Sequence, residues 1–185
     1  MGSDEFNATR SSVVSPAYGA VLEIGFGSGY NLPFYINITR LYALDPSPEL
    51  FNYAHDRIKA ASFLVEYLKN SAENIPLGDN SIDTIVSTWS MCSIPNLEMA
   101  LREMHRVLKP DGRLLFVEHG QSNQKIFSIT QRILTPITKL FTGNCHLDRK
   151  IDVSIIKVGF KIEKLHTFTE DGRPLMFSYR GVASK

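Results

Sequence analysis

Cysteine is scarce in this chain of 185 residues. Cys92 and Cys145 are the only two, and they lie far apart without a Cys-x-x-Cys pair. This spacing excludes a disulfide framework and gives no indication of a structural zinc knot, so we expect no metal site. Two free cysteines fit a reducing compartment, and we expect the protein in the cytoplasm.

An excess of charge and long apolar runs are also absent. The formal net charge is +1, which disfavours a protein that binds nucleic acid mainly through its charge. No segment approaches the roughly 18 to 20 continuous apolar residues of a membrane-spanning helix, and the first residues lack the apolar run of a signal peptide. With 43% apolar and 21% charged residues, the chain has the balance of one soluble globular domain. We therefore expect a small-molecule partner and no nucleic acid, and the sequence indicates no oligomeric state.

Residues 1–15 show no periodicity and are rich in serine and other small polar residues. We expect a flexible leader there, followed by one domain over residues 16–185. The first extended segment of that domain begins at Ala20.

Short apolar segments alternate with helical spacing through most of the domain. Five of them predict buried strands, at residues 20–24, 41–44, 63–67, 83–87 and 114–117. Apolar residues at helical spacing predict one helix from Leu50 to Ala61 and another from Leu97 to Leu108. Residues 160–165 and 176–183 alternate and predict an antiparallel hairpin. The fold class is therefore α/β: a Rossmann-like, doubly wound, mostly parallel seven-stranded sheet with an antiparallel C-terminal hairpin.

The segment 121–141 interrupts this alternation. It is amphipathic, carries Lys125, Arg132 and Lys139, and contains Pro136, where we expect a bend. We predict a helical lid over about residues 121–150 that covers the site. The alternative is a weak contact of this basic, apolar stripe with a membrane surface.

A glycine-rich turn gives the strongest functional signal. Glu23 and Gly25, Gly27 and Gly29 form an acid-x-Gly-x-Gly-x-Gly turn at the end of the first strand, and we expect this turn to open a helix. A dinucleotide turn has the spacing G-x-G-x-x-G, so the third glycine comes one residue early here. Glu23 would repel a pyrophosphate but suits an ammonium group, such as the methionine end of S-adenosylmethionine (SAM). A NAD-linked oxidoreductase is therefore only a distant alternative.

Asp45 follows the second predicted strand. A carboxylate there can accept both hydroxyl groups of a ribose. NAD sites share this feature. Asp45 therefore supports a nucleoside-containing ligand but does not distinguish SAM from NAD.

With these residues in place, the chain resembles the class I SAM-dependent methyltransferases, of the broad type that includes the ubiquinone and menaquinone biosynthesis C-methyltransferases. The resemblance covers about residues 20–117. It rests on VLEIGFGSG at 21–29, ALDPS at 43–47, SAENIPL at 71–77, NSID at 80–83 and EMHRVLKPDG at 103–112.

The resemblance implies SAM as cofactor, with S-adenosylhomocysteine as the product, and a set of binding residues. Asp45 would bind the ribose, and Thr88 would lie near the methionine. Pro46 would lie on the adenine face, with Ala72 and Glu73 at the adenine edge. The full implied set is Glu23, Gly25, Phe26, Gly27, Gly29, Asp45, Pro46, Ala72, Glu73 and Thr88. Ser71 stands where many relatives have an aspartate that contacts the adenine amino group. This difference either weakens SAM binding or leaves the contact to backbone and water. Relatives also carry N-terminal helices that cap the cofactor site. Because only a short segment, expected to be flexible, precedes the first predicted strand here, we expect a more open pocket.

The C-terminal third resembles a narrower group, the methyltransferase-like proteins related to mammalian alkyl-thiol methyltransferases and to bacterial phospholipid N-methyltransferases. The matching residues are 89–94, 117–119, 143–149 and 158–160. This resemblance implies a small apolar acceptor, a thiol or a lipid-like amine. With the broader resemblance, the acceptor expected is a thiol, an amine or a quinol-like compound.

Transfer of the methyl group is an in-line displacement, which relies on positioning and needs no covalent intermediate. A catalytic residue is therefore unknown. If the acceptor must lose a proton, His119 and His146 are the candidate bases, and the alternative is that each only hydrogen-bonds loop backbone. At the level of the whole function, the alternative to an enzyme is a SAM-binding or pseudo-enzyme module without turnover.

Overall fold

The computed structural model describes residues 4–141 and 143–185. The helices are α1 (Asp4–Val14), α2 (Pro48–Asn52), α3 (His55–Lys59), α4 (Leu97–Val107), α5 (Lys125–Phe141) and α6 (Ile151–Lys157). The strands are β1 (Tyr18–Ile24), β2 (Asn37–Leu44), β3 (Leu64–Leu68), β4 (Ile82–Thr88), β5 (Leu108–His119), β6 (Lys161–Thr169) and β7 (Phe177–Ser184).

The seven strands form one sheet in the order β3-β2-β1-β4-β5-β7-β6. Strands β1 to β5 are parallel, and β7 lies antiparallel between β5 and β6. The predicted fold class is thereby confirmed. Strand order reverses between β1 and β4, and the crevice beyond their carboxyl ends is where ligands bind in such sheets.

Both faces of the sheet are covered, which explains the apolar strands. Successive side chains of a strand point to opposite faces, so Val21 and Leu22 belong to different cores. Val21 packs in the core that includes Val13 and Val14 of α1. Leu22 packs in the core that includes the apolar face of α4 and two isoleucines of α6. Each central strand is therefore buried on both sides, as parallel strands usually are.

The helix expected directly after the glycine turn does not form. Only a 3-10 turn, Leu32–Phe34, lies between Gly29 and the start of β2 at Asn37. Pro33 provides no backbone N–H, and residues 30–36 are too few for a helix of several turns that also returns to the sheet.

The single helix expected from Leu50 to Ala61 is divided into α2 and α3. The N–H groups of Tyr53 and Ala54 donate to the carbonyls of Leu50 and Phe51, three residues back, which tightens the chain at this point. Helix α6 was not predicted from the sequence.

The structure corrects the expectation of a flexible leader over residues 1–15, of which the first three lie outside the described residues. Asp4–Val14 is helical. Arg10, Val13 and Val14 are buried, with 5%, 5% and 0% of their surface exposed. Three and four residues apart, they share one helix face, and this face packs on the sheet.

Helix α5 forms where an amphipathic helix was predicted and contains Pro136. Its apolar stripe points outward, because Ile126, Ile129, Ile133 and Ile137 are 69%, 48%, 68% and 56% exposed. The buried Gln131 instead holds the helix, donating to the carbonyls of Gly120 and Leu175. Within residues 4–141 and 143–185, no helix has both the length and the apolar character needed to cross a membrane.

Candidate cofactor site

Two adjoining cavities lie at the point where the strand order reverses. The larger, of about 400 Å³, is lined by residues of the loops after β1, β2, β3 and β4, including Gly25, Gly27, Asp45, Pro46, Ser71, Ala72, Trp89, Ser90 and Ile94. The smaller, of about 250 Å³, includes Arg10, Glu23, Gly25, Phe26, Gly27, Thr88, Trp89 and Ser90. Because they share Gly25, Gly27, Trp89 and Ser90, the two cavities form one elongated cleft that bends around the glycine turn.

Gly25 and Gly27 of the glycine turn are needed for different reasons: a side chain does not fit at the first position, and the second leaves its backbone open to a ligand. Gly25, Gly27 and Gly29 all have positive φ angles, of 67°, 56° and 74°. A Cβ atom on Gly25 would lie 2.6 Å from Cβ of Ser90, so this position has no room for a side chain. A Cβ atom on Gly27 would meet no atom nearer than the carbonyl oxygen of Gly25 at 3.9 Å. Gly27 therefore faces open space, and its backbone is accessible to a ligand in either cavity.

Asp45 is held in place by the turn that it faces. Its Oδ2 accepts a hydrogen bond from the backbone N–H of Gly27 at 2.8 Å, and its Oδ1 accepts one from the N–H of Ser47 at 2.9 Å. An ionised carboxylate has about four acceptor positions, so both oxygens can accept further hydrogen bonds. Asp45 lines the larger cavity, as do Pro46 and Ala72.

Glu73 has a different position from the one implied by the resemblance. Its Oε1 accepts the backbone N–H of Asn96 at 2.6 Å, and its Oε2 accepts the hydroxyl of Ser71 at 2.7 Å. It is not among the described residues that line either cavity. Glu73 thus ties the loop after β3 to the start of α4, and its neighbours Ser71 and Ala72 form the cavity wall.

Glu23 lies at the opposite end of the cleft and is 1% exposed. Its carboxylate accepts hydrogen bonds from the hydroxyl of Tyr35 at 2.7 Å and from the amide of Asn31 at 2.9 Å. Burial raises the pKa of Glu23 to about 7, although these hydrogen bonds and the positive charge of Arg10 oppose the rise. Glu23 is therefore held rigidly beside the smaller cavity, and a cationic ligand would favour its ionised form.

Arg10 is a charged residue of the cleft that the sequence did not predict. It extends from α1, and its Nη1 donates to Oδ1 of Asn31 at 2.8 Å and to the hydroxyl of Thr88 at 3.3 Å. Its guanidinium lies 5.0 Å from the ring centre of Trp89. The Nε atom is buried and has no partner among the described residues. One end of the cleft is thus lined by a carboxylate and a guanidinium, which suit the ammonium and carboxylate groups of an amino acid.

The two candidate bases lie elsewhere. His119 is buried, and its Nε2 lies 3.1 Å from Oε2 of Glu170. Burial alone would lower the pKa of His119. Its contacts with Cys92 and Glu170 together have the larger, opposite effect, and the pKa is raised from 6.5 to about 10. His146 is partly buried, and burial together with the charge of Arg149 lowers its pKa. Neither histidine is among the described residues that line the cleft.

Comparison with known proteins agrees with this geometry. The family described as "Methyltransferase domain" matches residues 22–116, which is about half of the chain and includes β1 to β5. The chain belongs to the class I SAM-dependent methyltransferase family.

The chain is also similar to individual methyltransferases. The chain is 34% identical over 147 residues to the thiol S-methyltransferase TMT1B of Rattus norvegicus, covering 76% of this chain and 59% of the relative. It is 29% identical over 150 residues to the demethylmenaquinone methyltransferase of Thermotoga maritima, covering 75% and 64%. The chain thus spans less than two thirds of the length of the curated relatives that it matches. A SAM-dependent methyltransferase of known structure from Mesorhizobium loti is 18% identical, with a TM-score of 0.73 over 100% of this chain and 99% of that one, and it supports the fold alone.

Proposed function

We propose that this protein transfers the methyl group of SAM to a small-molecule acceptor, and that the acceptor is a thiol. The observation that carries the cofactor proposal is the distribution of charge along the cleft. Asp45 lies at one end, while Glu23 and Arg10 lie at the other. This order of groups suits a ligand with a ribose at one end and a zwitterionic amino acid at the other.

The residues present fit the cofactor. Asp45 would accept hydrogen bonds from the ribose hydroxyls, and Pro46 and Ala72 would pack against the adenine. The guanidinium of Arg10, which lines the smaller cavity, would donate to the carboxylate of the methionine end, and Glu23 would face its ammonium group. When bound, SAM would supply an electrophilic methyl group, and transfer of this group would leave S-adenosylhomocysteine.

The adenine amino group has no carboxylate partner in this site. Ser71 occupies the corresponding position, and its hydroxyl donates to Glu73. We therefore propose that the adenine edge is bound by backbone groups and water, which are weaker partners than a charged side chain.

The acceptor proposal rests on the cavity wall and on the relatives. Trp89, Ile94 and Pro95 give the larger cavity an apolar wall, which suits a small apolar acceptor. A relative named as a thiol S-methyltransferase supports a thiol, and the demethylmenaquinone methyltransferase supports a quinol as the second candidate.

A thiol also suits a site whose described lining offers no imidazole. A cysteine thiol has a pKa of about 8.5, and thiols in general ionise far more readily than alcohols, so a fraction of a thiol acceptor is thiolate without a protein base. The thiolate sulfur would form a bond to the methyl carbon as the bond from that carbon to the sulfonium breaks. The proton would go to solvent, and the product would be a methyl thioether. The cleft would contribute orientation and exclusion of water.

Two measurements test these proposals in order. Calorimetric titration with S-adenosylhomocysteine, with NAD as the control, should show saturable binding of the first and none of the second. Transfer from labelled SAM should then be measured at low SAM concentration with alkyl thiols, quinol-like phenols and amines, and Asp45→Asn should be used as the variant with weakened cofactor binding. Methylation of the thiols above that of the variant supports the full proposal. Tight product binding with no transfer to any acceptor would favour a binding module without turnover, and absence of binding would overturn the cofactor site.

Segments beyond the cleft carry further proposals. Gly143 lines the larger cavity, which supports a lid role for part of residues 121–150.

Helix α5 supports a different role for this segment. Its isoleucine face points outward and is flanked by the exposed Lys125 and Arg132, which supports a weak contact with an anionic membrane surface. Sedimentation with vesicles should show binding that requires anionic lipid and is lost in Ile129→Glu, whereas equal sedimentation of that variant would overturn the contact. A cytoplasmic location is supported by the free thiols of Cys92 and Cys145.

A further inference from the structure

Three side chains of the kinds that bind soft metal ions meet outside the cofactor cleft. Cys92 follows β4, His119 is the last residue of β5, and Cys145 lies between α5 and α6. Their ligand atoms all lie within 4.8 Å of one another, and Sγ of Cys145 is 3.9 Å from Nδ1 of His119. The three residues are buried, with 1%, 6% and 8% of their surface exposed. We refer to them as the Cys92–His119–Cys145 cluster.

Contacts that do not involve the thiols bring these segments together. The backbone N–H of His146 donates to the carbonyl of Cys92 at 2.9 Å, and the amide of Asn144 donates to the carbonyl of Ser93 at 2.9 Å. Arg149 donates to the carbonyl of Met91 at 2.6 Å. The positions of the two sulfur atoms are therefore set by the loops, and the cluster does not depend on a bond between them.

The imidazole of His119 is oriented by a carboxylate. Its Nε2 lies 3.1 Å from Oε2 of Glu170, while Oε1 of Glu170 accepts hydrogen bonds from Nε1 of Trp89 and from the hydroxyl of Ser178. Glu170 is thus fixed by two other donors. With Nε2 directed at Glu170, Nδ1 is left facing the cysteines. Histidines that bind a metal usually have this arrangement, with the second ring nitrogen donating to a carboxylate.

We propose that Cys92, His119 and Cys145 bind a Zn²⁺ ion. In a tetrahedral zinc site with Zn–S of about 2.3 Å and Zn–N of about 2.1 Å, ligand atoms are about 3.5 to 3.8 Å apart. The distance of 3.9 Å between Sγ of Cys145 and Nδ1 of His119 is close to this spacing, and the limit of 4.8 Å for all the ligand atoms leaves only a small contraction on binding. Two thiolates and an imidazole are a ligand set for zinc, whereas Mg²⁺ and Ca²⁺ prefer oxygen. Two thiolates also neutralise the charge of the ion, which a buried site requires.

The ion would connect three segments of the chain. It would link the loop after β4, the end of β5 and the segment 143–149, and leave one coordination position for water or another small ligand. Ser93, which follows Cys92, and Gly143, which begins the segment 143–149, line the larger cavity. Zinc would therefore stabilise one wall of the cofactor cleft without contacting the cofactor.

The test uses the full chain, purified under reducing conditions and without chelators. Elemental analysis should find one zinc ion per chain. After removal of the zinc, Co²⁺ should give the intense visible bands of tetrahedral coordination and a thiolate-to-cobalt charge-transfer band. Because Cys92 and Cys145 are the only cysteines in the chain, a thiolate band reports on this cluster alone.

Variants assign the ligands. Cys92→Ser, Cys145→Ser and His119→Gln should each remove the tetrahedral spectrum, and Glu170→Gln should weaken zinc binding by roughly ten- to hundredfold. His146→Gln is the matched control, since it changes an imidazole next to Cys145 that lies outside the cluster, and it should bind zinc as the parent does. Circular dichroism checks that each variant is folded.

The measurement on the unaltered, reduced protein decides the matter, because it does not depend on any variant folding. Absence of stoichiometric zinc together with an octahedral cobalt spectrum would overturn the proposal. A Cys92–Cys145 disulfide under the same reducing conditions would overturn it as well. The readout is metal binding, so it stands or falls separately from the proposed methyl transfer.

Discussion

The charged residues of the cleft differ in how far the sequence could predict them. Glu23 and Asp45 are recognisable because each comes at a fixed distance from a glycine turn or a strand end. Arg10 gives no such signal, because it comes from a polar segment and reaches Asn31 and Thr88 only in the folded chain. The Cys92–His119–Cys145 cluster is likewise invisible in the sequence, because its members are brought together by β4, β5 and a distant loop.

The role of Asp45 can be tested by removing its charge with little change in size. Asp45→Asn should weaken binding of S-adenosylhomocysteine by about ten- to hundredfold, because hydrogen bonds to a charged acceptor contribute roughly 1.5 to 3 kcal/mol. Titration calorimetry measures the change. Asp111→Asn is the control, since Asp111 is exposed and lies outside both cavities. Equal affinities of the parent and Asp45→Asn would contradict a ribose role.

Arg10 should discriminate between ligands with and without an amino acid. Arg10→Gln should lose roughly tenfold or more in affinity for S-adenosylhomocysteine, because a charge-assisted hydrogen bond to the ligand carboxylate is lost. Its affinity for adenosine, which lacks that carboxylate, should be unchanged. Competition titrations with both ligands check this, and Arg132→Gln on the exposed face of α5 is the control. An equal loss for the two ligands would show that Arg10 acts on the fold and not on the methionine end.

Among the elements, those with a strong apolar pattern were predicted and those shaped by tertiary contacts were not. All seven strands and helices α4 and α5 form where the sequence indicates them. Helix α1 has only a few buried residues, and α6 is short, so neither produces a clear period in the sequence. The helix predicted after Gly29 does not form, because only residues 30–36 separate the glycine turn from β2 and leave room for no more than a 3-10 turn.

The start of α4 offers a test of local stability. Oδ1 of Asn96 accepts the backbone N–H of Met99 at 3.1 Å and so caps the helix. Asn96→Ala should lower the free energy of unfolding by about 1 kcal/mol, while Asn96→Ser, which can still cap, should lower it much less. Urea unfolding at equilibrium measures both values. If the two variants are equally destabilised, the cap does not account for the loss.

For the molecule as a whole, the alternation of short strands and helices was enough to predict a mostly parallel sheet with helices on both of its faces. The path of the chain around the cleft was not predictable, because it depends on which loops meet beyond the strand ends. The same dependence explains why Glu73, close in sequence to Ala72, turns away from the cavity and binds the start of α4.

The stability of the whole protein should depend on pH through Glu23. Its pKa is raised from 4.5 to about 7, so the folded protein binds a proton more tightly than the unfolded chain. This contribution is fully present below about pH 4.5 and is lost as the pH rises through about 7. Between these limits the parent should lose about 3 kcal/mol relative to Glu23→Gln, which does not titrate. Denaturant unfolding of both proteins without ligand, from pH 5 to 8, measures the difference, and a difference that stays constant with pH would contradict the assignment.

Helix α1 also has a consequence for the timing of ligand exchange. It contributes Arg10 to the cleft, and Phe6 packs edge-on against Trp89 with ring centres 5.0 Å apart. A ligand bound by Arg10 would thus be held by an element that contributes no strand to the sheet. The residence time of the product should then follow how often this one helix detaches, so changes on its sheet-facing side will alter the dissociation rate while the rest of the cleft stays intact.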